Sequence, residues 1–240
     1  MMEPPVLPGI LFEGHECSGK TTVARLVAAD LEAAGWKVAR SHATVSSSGL
    51  LDAMLREAVA TFDDSAGRPF RDPRLWRRFN SVRSAQLMVD AELVAQREPA
   101  GPVDVFVQDR YWLTQHAFNT FLTPDARYLT PEWLRAHAPR FAVQVYLTCD
   151  PATRRERAAA RRQRPAKHAV NTFLQRHMDE IALLDELTVG RLVDAEWTVL
   201  SSTAHPARVL ADQVLDLFSA HCGKASRDEG KHPAHAVRAA

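Results

Sequence analysis

Short apolar runs alternate along the chain with longer stretches whose apolar residues return every three or four positions. Ile10-Leu11-Phe12 runs into Gly14, and Val23, Leu26, Val27 and Leu31 then share one helical face. This pattern predicts a strand, a glycine-bounded loop and a helix. Gly35 is a stop signal, Trp36-Lys37-Val38-Ala39-Arg40 reads as a second short strand, and the Ser- and Thr-rich 41–49 segment reads as a loop. Leu51, Met54, Leu55 and Val59 give 50–62 helical spacing, 63–73 is a polar loop, and 74–96 is a long helix. Pro99-Ala100-Gly101-Pro102 breaks it, and Val103-Asp104-Val105-Phe106-Val107 is a third strand. Helical sequence covers 112–121, a short helix opens at Pro131, and 141–147 is a fourth strand. An arginine-rich helix at 154–164 and an amphipathic one at 171–187 precede a last strand at 197–200 and a closing helix at 207–218. From about 221 the composition is polar, basic and aperiodic, which predicts a disordered tail over 221–240. Strands alternating with helices predict an α/β fold, a parallel sheet covered on both faces. Ligands in such sheets sit at the carboxyl ends of the strands.

Composition narrows the picture. At 240 residues and 46% hydrophobic, the chain is long enough for one well-cored domain, expected over 1–220 with a small lid at about 151–170. The net charge of +1 gives no global field for a nucleic acid polymer or an anionic membrane. No apolar run reaches membrane-spanning length, and Met1-Met2-Glu3-Pro4-Pro5 lacks the plan of a signal peptide. Cys17, Cys149 and Cys222 form neither a disulfide framework nor a zinc pattern, so reduced thiols and a cytoplasmic location are expected.

The candidate chemistry starts at Gly14, where Gly14-His15-Glu16-Cys17-Ser18-Gly19-Lys20-Thr21 reads G-x-x-x-x-G-K-T and is followed by Thr22. Between a strand and a helix this is the P-loop pattern. Its glycines let successive backbone N–H groups turn inward on a phosphate, and the helix N-terminus adds a positive dipole end. Lys20 supplies a mobile charge for the β and γ oxygens, and Thr21 a hydroxyl for Mg²⁺. Cys17, close to that helix N-terminus, is a candidate for a lowered thiol pKa. Asp109-Arg110-Tyr111 ends the third strand, giving Asp109 a second place near Mg²⁺ and Arg110 an anionic acceptor. Arg83 lies within the otherwise apolar face of the 74–96 helix, where it either reaches solvent or binds something negative. Arg154, Arg157, Arg161 and Arg164 share a helical face, which is either a solvated surface or a lid closing on a transferring phosphoryl group.

These residues resemble the thymidylate kinase family of nucleoside monophosphate kinases over 10–218. Phe12-Glu13-Gly14-His15-Glu16-Cys17-Ser18-Gly19-Lys20-Thr21-Thr22 is similar to that family's F-E-G-x-E-G-x-G-K-T-T loop, and Asp109-Arg110-Tyr111 matches its D-R-Y. Phe79-Asn80-Ser81-Val82-Arg83 falls where the family carries F-A-A-D-R, whose arginine contacts the acceptor base. Leu147-Thr148-Cys149-Asp150-Pro151 with the arginines after it resembles the entry to the family's lid, and Phe173-Leu174-Gln175-Arg176 parallels an F-x-x-R beyond it. The resemblance implies a P-loop NTPase-type three-layer fold, ATP and Mg²⁺ as cofactors, a small-molecule phosphate acceptor, and a homodimer formed through apolar helices. It also implies that residues 14–22 bind ATP, that Thr21 and Asp109 organise the metal, and that Lys20, Arg157 and Arg161 assist transfer. Glu16, His42, Arg83, Arg110, Gln115 and Phe118 fall on the acceptor side.

That acceptor side departs from the family pattern. R-E-P-G-G-T is replaced by Arg40-Ser41-His42-Ala43-Thr44-Val45, Phe118 stands for a tyrosine against the sugar, and the lid's D-R-F becomes Pro165-Ala166-Lys167-His168. The expected activity is therefore an ATP-dependent kinase that handles thymidylate poorly. Its acceptor is a nucleotide or, alternatively, the hydroxyl of a nucleoside or other alcohol. A general base would serve only the hydroxyl acceptor; Glu16, Asp109 and His42 are the candidates. A nucleotide-binding switch is disfavoured because no N-K-x-D motif is present, and a dead scaffold because Lys20, Thr21 and Asp109 are intact.

Overall fold

The computed structural model describes residues 4–96, 103–163 and 169–228, with 223–228 as backbone. Five strands form one all-parallel sheet: β1 (Val6–Glu13), β2 (Val38–His42), β3 (Val105–Asp109), β4 (Arg140–Thr148) and β5 (Trp197–Ser201). Their order is β2-β3-β1-β4-β5, so the first strand is central. Helices α1 (Lys20–Ala33), α2 (Gly49–Ala60), α3 (Pro73–Gln96), α4 (Leu113–Leu122) and α5 (Pro131–His137) fill the first half. Helices α6 (Pro151–Arg162), α7 (Ala169–Arg176), α8 (Met178–Arg191) and α9 (Ala207–Asp228) fill the second.

Alternation along the strands separates two core layers, because successive side chains point to opposite faces. Ile10 and Phe12 of β1, Val105 and Val107 of β3, and Val143, Val145 and Leu147 of β4 pack with α1 and α9. Leu11 and Tyr146 face the other way, onto Leu87 of α3, Leu113 of α4 and Leu134 of α5. A third cluster, rich in aromatics, joins α2, α3, α4, α7 and α8 through Phe62, Trp76, Phe79, Phe118, Phe173 and Ile181. Cys17 and Ala158 belong to it, so it reaches the loop after β1 and the helix α6. Parallel strands place the carboxyl ends of β1, β2 and β3 side by side: Phe12 and His42 both pair in register with Asp109.

Several boundaries differ from the sequence reading; β3, expected over 103–107, runs from Val105 to Asp109. β2 extends through His42, so Ser41 and His42 are strand residues and not loop residues; pairing with β3 continues to Asp109. The helix expected over 171–187 is two helices, broken at His177 (φ −117°, ψ 43°). The segment 63–73 is not wholly a surface loop, since Ser65 and Phe70 are buried. α9 continues to Asp228, into the stretch expected to be disordered. Residues 229–240, Arg164 and the 165–168 segment lie outside the described residues. No described helix is long and apolar enough to cross a membrane.

Candidate functional site

The chain leaves β1 at Glu13, crosses the carboxyl edge of the sheet and enters α1 at Lys20. Gly14 (φ 135°) and Gly19 (φ 93°) make the two turns of this connection. A Cβ on Gly14 would collide with the Leu147 carbonyl, so glycine is what lets the loop lie against the end of β4. Lys20 folds back over the loop it follows, Nζ donating to the His15 carbonyl at 2.9 Å and to Ser18 Oγ at 3.2 Å. The side chain is only 4% exposed and forms no salt bridge with a described residue. Burial, reinforced by the charge of Arg110, pushes its pKa down to about 8. Its hydrogen bonds go only to neutral oxygens, and the carboxylates of Asp109, Glu16 and Glu13 offset only part of its burial, so an incoming anion would complete the pairing.

Thr22 is exposed at the start of α1, whereas Ser18 and His15 are buried. His15 bonds Thr188 of α8 at 2.9 Å through Nε2, and burial, with the nearby Arg154, keeps its imidazole neutral by lowering its pKa. Cys17, a candidate for a lowered thiol pKa, shifts in the opposite direction. Its side chain is enclosed in the aromatic cluster, and burial pushes the thiol pKa up despite the cations around it.

Thr21 and Asp109 meet as the motif reading expects: Thr21 Oγ1 donates to Asp109 Oδ2 at 2.6 Å. The register places His42 on the other side of the carboxylate, Nδ1 lying 3.6 Å from the same oxygen. Burial alone would raise the Asp109 pKa, but His42, Lys20 and Thr21 outweigh it and hold the carboxyl well below its usual range. Asp109 Oδ1 is buried and bonded to nothing. A hydroxyl and a free carboxylate oxygen are hard donors of the kind Mg²⁺ takes, so these residues fit that ion. No three His, Cys, Asp or Glu side chains among the described residues converge on one point, so water or phosphate would complete its coordination.

The arginines gather around the loop in unequal ways. Arg110, itself at φ 67°, pairs with Glu16, and Arg161 reaches the other Glu16 oxygen at 3.2 Å. Burial would raise the Glu16 pKa, yet Arg110, Lys20 and Arg161 together lower it. Arg154 is fully enclosed: it donates to the Glu16 carbonyl and pairs with Asp185 of α8 at 2.8 Å. Asp185 also accepts from Tyr146 Oη at 2.7 Å and from Thr148. Arg157 donates to the Cys17 carbonyl at 3.2 Å and to Ser202 Oγ at 2.7 Å. The first turns of α6 are thus fastened to the loop, while Arg161 and Arg162 lie on its exposed end.

The remaining acceptor-side residues are interior. Arg83 neither reaches solvent nor meets an anion. It is buried and bonded to Gln86 Oε1, and burial lowers its pKa to about 10. Gln115 gives its amide to Asn80 at 2.8 Å and Asn119 at 3.0 Å, and Phe118 packs against Trp76 and His15. The structure therefore brings Lys20, Thr21, Asp109, His42, Glu16, Arg110, Arg157 and Arg161 around one loop, sets Phe118 of α4 against His15 of that loop, and leaves Arg83 and Gln115 in the packing between α3 and α4.

Three supporting residues escaped the sequence reading. Glu13 accepts from the backbone N–H of Tyr111, Leu113 and Thr114, which caps α4 from another strand. Asp90 of α3 accepts from the Val45 and Ser46 amides, both at 2.8 Å, and so holds the loop after β2. Asp185 anchors Arg154. The one advance signal was an acidic residue at an inward position of a helix or strand, visible for Asp90 and Asp185 but shared by many solvated residues. No protein-family model matches the chain and no curated protein matches it.

Proposed function

We propose that the chain is a P-loop phosphotransferase of the thymidylate-kinase type, moving the γ-phosphate of ATP to a small acceptor. The observation that carries this reading is Lys20: a buried ammonium bonded only to its own loop, beside Thr21 and an unpartnered oxygen of Asp109. Loop amides and Lys20 would hold the β- and γ-phosphates. Thr21 and Asp109 would hold Mg²⁺, whose bound charge would offset that of the phosphate oxygens. Arg157 is already set against the loop, while Arg161 can exchange Glu16 for the transferring group. Arg110 sits beside it for an anionic acceptor.

The carboxylates bear on the acceptor. Glu16 and Asp109 both have lowered pKa values, which makes each a weak base at neutral pH. A hydroxyl nucleophile gains from a base, whereas a phosphate acceptor is already ionised. The site therefore favours a nucleoside monophosphate or similar anion. The hydroxyl reading survives on one feature, His42 beside Asp109.

The experiment is an ADP-release assay with Mg·ATP across dTMP, dUMP, UMP, CMP, nucleosides and sugar-type alcohols, run beside Lys20→Ala. Turnover with at least one phosphate acceptor is expected, with dTMP a poor one. It should fall about 10²-fold or more in the variant, the scale of losing one transition-state donor. Near-normal turnover in Lys20→Ala would sink the assignment.

A further inference from the structure

Beside the Thr21–Asp109 contact the surface opens into a groove of about 370 Å³ between α1 and the edge strand β2. Thr21, His42 and Asp109 all line it, and Arg25 and Arg40 lie along it. We propose that His42 is a nitrogen ligand to the divalent ion of the nucleotide complex and biases this site from Mg²⁺ toward Mn²⁺. The inference rests on the phosphotransferase reading, which supplies the nucleotide.

The geometry has three independent parts. Thr21 Oγ1 and His42 Nδ1 flank one oxygen of Asp109 at 2.6 and 3.6 Å. Neighbouring ligands around an octahedral ion with bonds of 2.0–2.2 Å stand about 3 Å apart, so small side-chain rotations fit all three to one ion. Asp109 Oδ1, buried and unpartnered, gives the carboxylate a free oxygen with which to bind. The third part is backbone. His42 is held opposite Asp109 by strand register, and the next residue, Ala43, turns away at φ 68° with its amide bonded to the Asp109 carbonyl at 3.2 Å. His42 is thereby held at the metal-facing edge while its side chain stays 61% exposed and free to rotate.

The chemistry sets the preference. Mg²⁺ selects oxygen ligands and octahedral geometry and gives up water reluctantly; imidazole suits Zn²⁺, Cu²⁺, Fe²⁺ and Ni²⁺ best, and Mn²⁺, although it prefers oxygen, takes imidazole more readily than Mg²⁺ does. Mn²⁺ accepts both oxygen and nitrogen donors and forms ordinary phosphate complexes. Arg25 and Arg40 oppose a bare cation in the groove but favour one that arrives on a polyphosphate. The ion should therefore be taken as metal–nucleotide, with little affinity before nucleotide is present.

The test uses the full chain labelled with ¹⁵N-histidine, with Mn²⁺ and ADP, read by electron spin echo envelope modulation. A ¹⁵N coupling is expected at the bound Mn²⁺, lost in His42→Ala while Mn·ADP remains bound. The relative affinity for Mn·ADP over Mg·ADP should also fall about tenfold in that variant, the lower end of what a ligand-shell substitution costs. Mn·ADP binding with no histidine coupling, or a coupling that persists in His42→Ala, overturns the role of His42 and leaves the phosphotransferase reading standing. Failure of the wild-type chain to bind Mn·ADP or Mg·ADP overturns both.

Discussion

Between α3 and α4, buried polar groups answer one another. Asn80 donates to Thr123 at 2.9 Å and Gln115 donates to Asn80, while Asn119 receives Gln115 and donates to Ser84 at 3.0 Å. Around residues 14–22 the groups are as deeply buried but do not match. Lys20 has only neutral partners, Asp109 Oδ1 has none, and Cys17 takes a left-handed backbone conformation that favours glycine. A closed network specifies one packing; open valences cost stability unless something else fills them. Proteins tolerate such local inconsistencies chiefly at sites, and here they coincide with the carboxyl ends of β1 and β3. The comparison can be broken by showing that a matched group is dispensable, or that an unmatched one stabilises the free chain.

The largest effect belongs to the buried ion pair outside that network, in which Arg154 Nε alone lacks a partner. Arg154 and Asp185 are both enclosed, and their pair ties α6 and α8 to the Glu16 carbonyl. Removing one member of a buried pair leaves the other charge without compensation, at a cost of about 3–5 kcal/mol. Arg154→Ala and Asp185→Ala should each lower the urea unfolding free energy by that amount. A loss under about 1 kcal/mol in both would show that the pair is not the fastening it looks like.

Lys20 should behave in the opposite sense. Its folded pKa of about 8 lies below the unfolded value of 10.5, so protonation opposes folding. Below pH 8 both states carry the proton and the whole penalty is present, about 3 kcal/mol at 1.36 kcal/mol per unit. Between pH 8 and 10.5 the unfolded chain binds more protons, so stability rises with pH. Lys20→Met should therefore unfold at higher urea than wild type at pH 7, less the cost of the two hydrogen bonds it forfeits. That advantage should shrink from pH 8 to pH 10.5. Added Mg·ATP should stabilise the wild type and leave the variant unmoved. A difference between the two proteins that stays constant with pH contradicts an unmatched ammonium.

How far the sequence foretold this follows the same division. The alternation of apolar runs was enough for five parallel strands, because a strand buried on both faces leaves a continuous signature in Ile10-Leu11-Phe12 or Val105-Phe106-Val107. Thr21 and Asp109 were legible because their motifs sit at strand ends, which the parallel topology brings together. What stayed hidden depends on partners distant in the chain. Nothing near Arg154 announces Asp185, so four evenly spaced arginines read as one mobile surface when two are anchored. Arg83 shows the same dependence on packing: its hydrogen bond among the described residues goes to Gln86, one helical turn away inside the fold. His42 was read as a loop residue because Ser41 and Thr44 suggest one, whereas pairing with β3 carries the strand two residues further.

The smallest effect concerns Cys17, where strain and packing nearly cancel. At φ 63° a residue with a Cβ is disfavoured by about 1–2 kcal/mol relative to glycine, which occupies that region freely. Glycine carries no Cβ penalty there, so Cys17→Gly should relieve that strain. Against it stand two losses. The thiol is 2% exposed among Ala158, Phe118 and Phe173, and withdrawing so small an apolar group costs about 1 kcal/mol. Glycine also widens the unfolded ensemble by a further 0.5–1 kcal/mol, roughly. The terms sum to a change within about 1 kcal/mol of zero, read as a small shift in the urea midpoint. Alkylation of the native chain gives a second reading of the same packing. Burial raises both thiol pKa values, but Cys17 is enclosed and Cys222 part-exposed, so iodoacetamide should label Cys222 well before Cys17. A gain above 2 kcal/mol in Cys17→Gly, or Cys17 labelling first, would mean that the side chain contributes strain without packing. The loop would then be open on the side where the aromatic cluster encloses it.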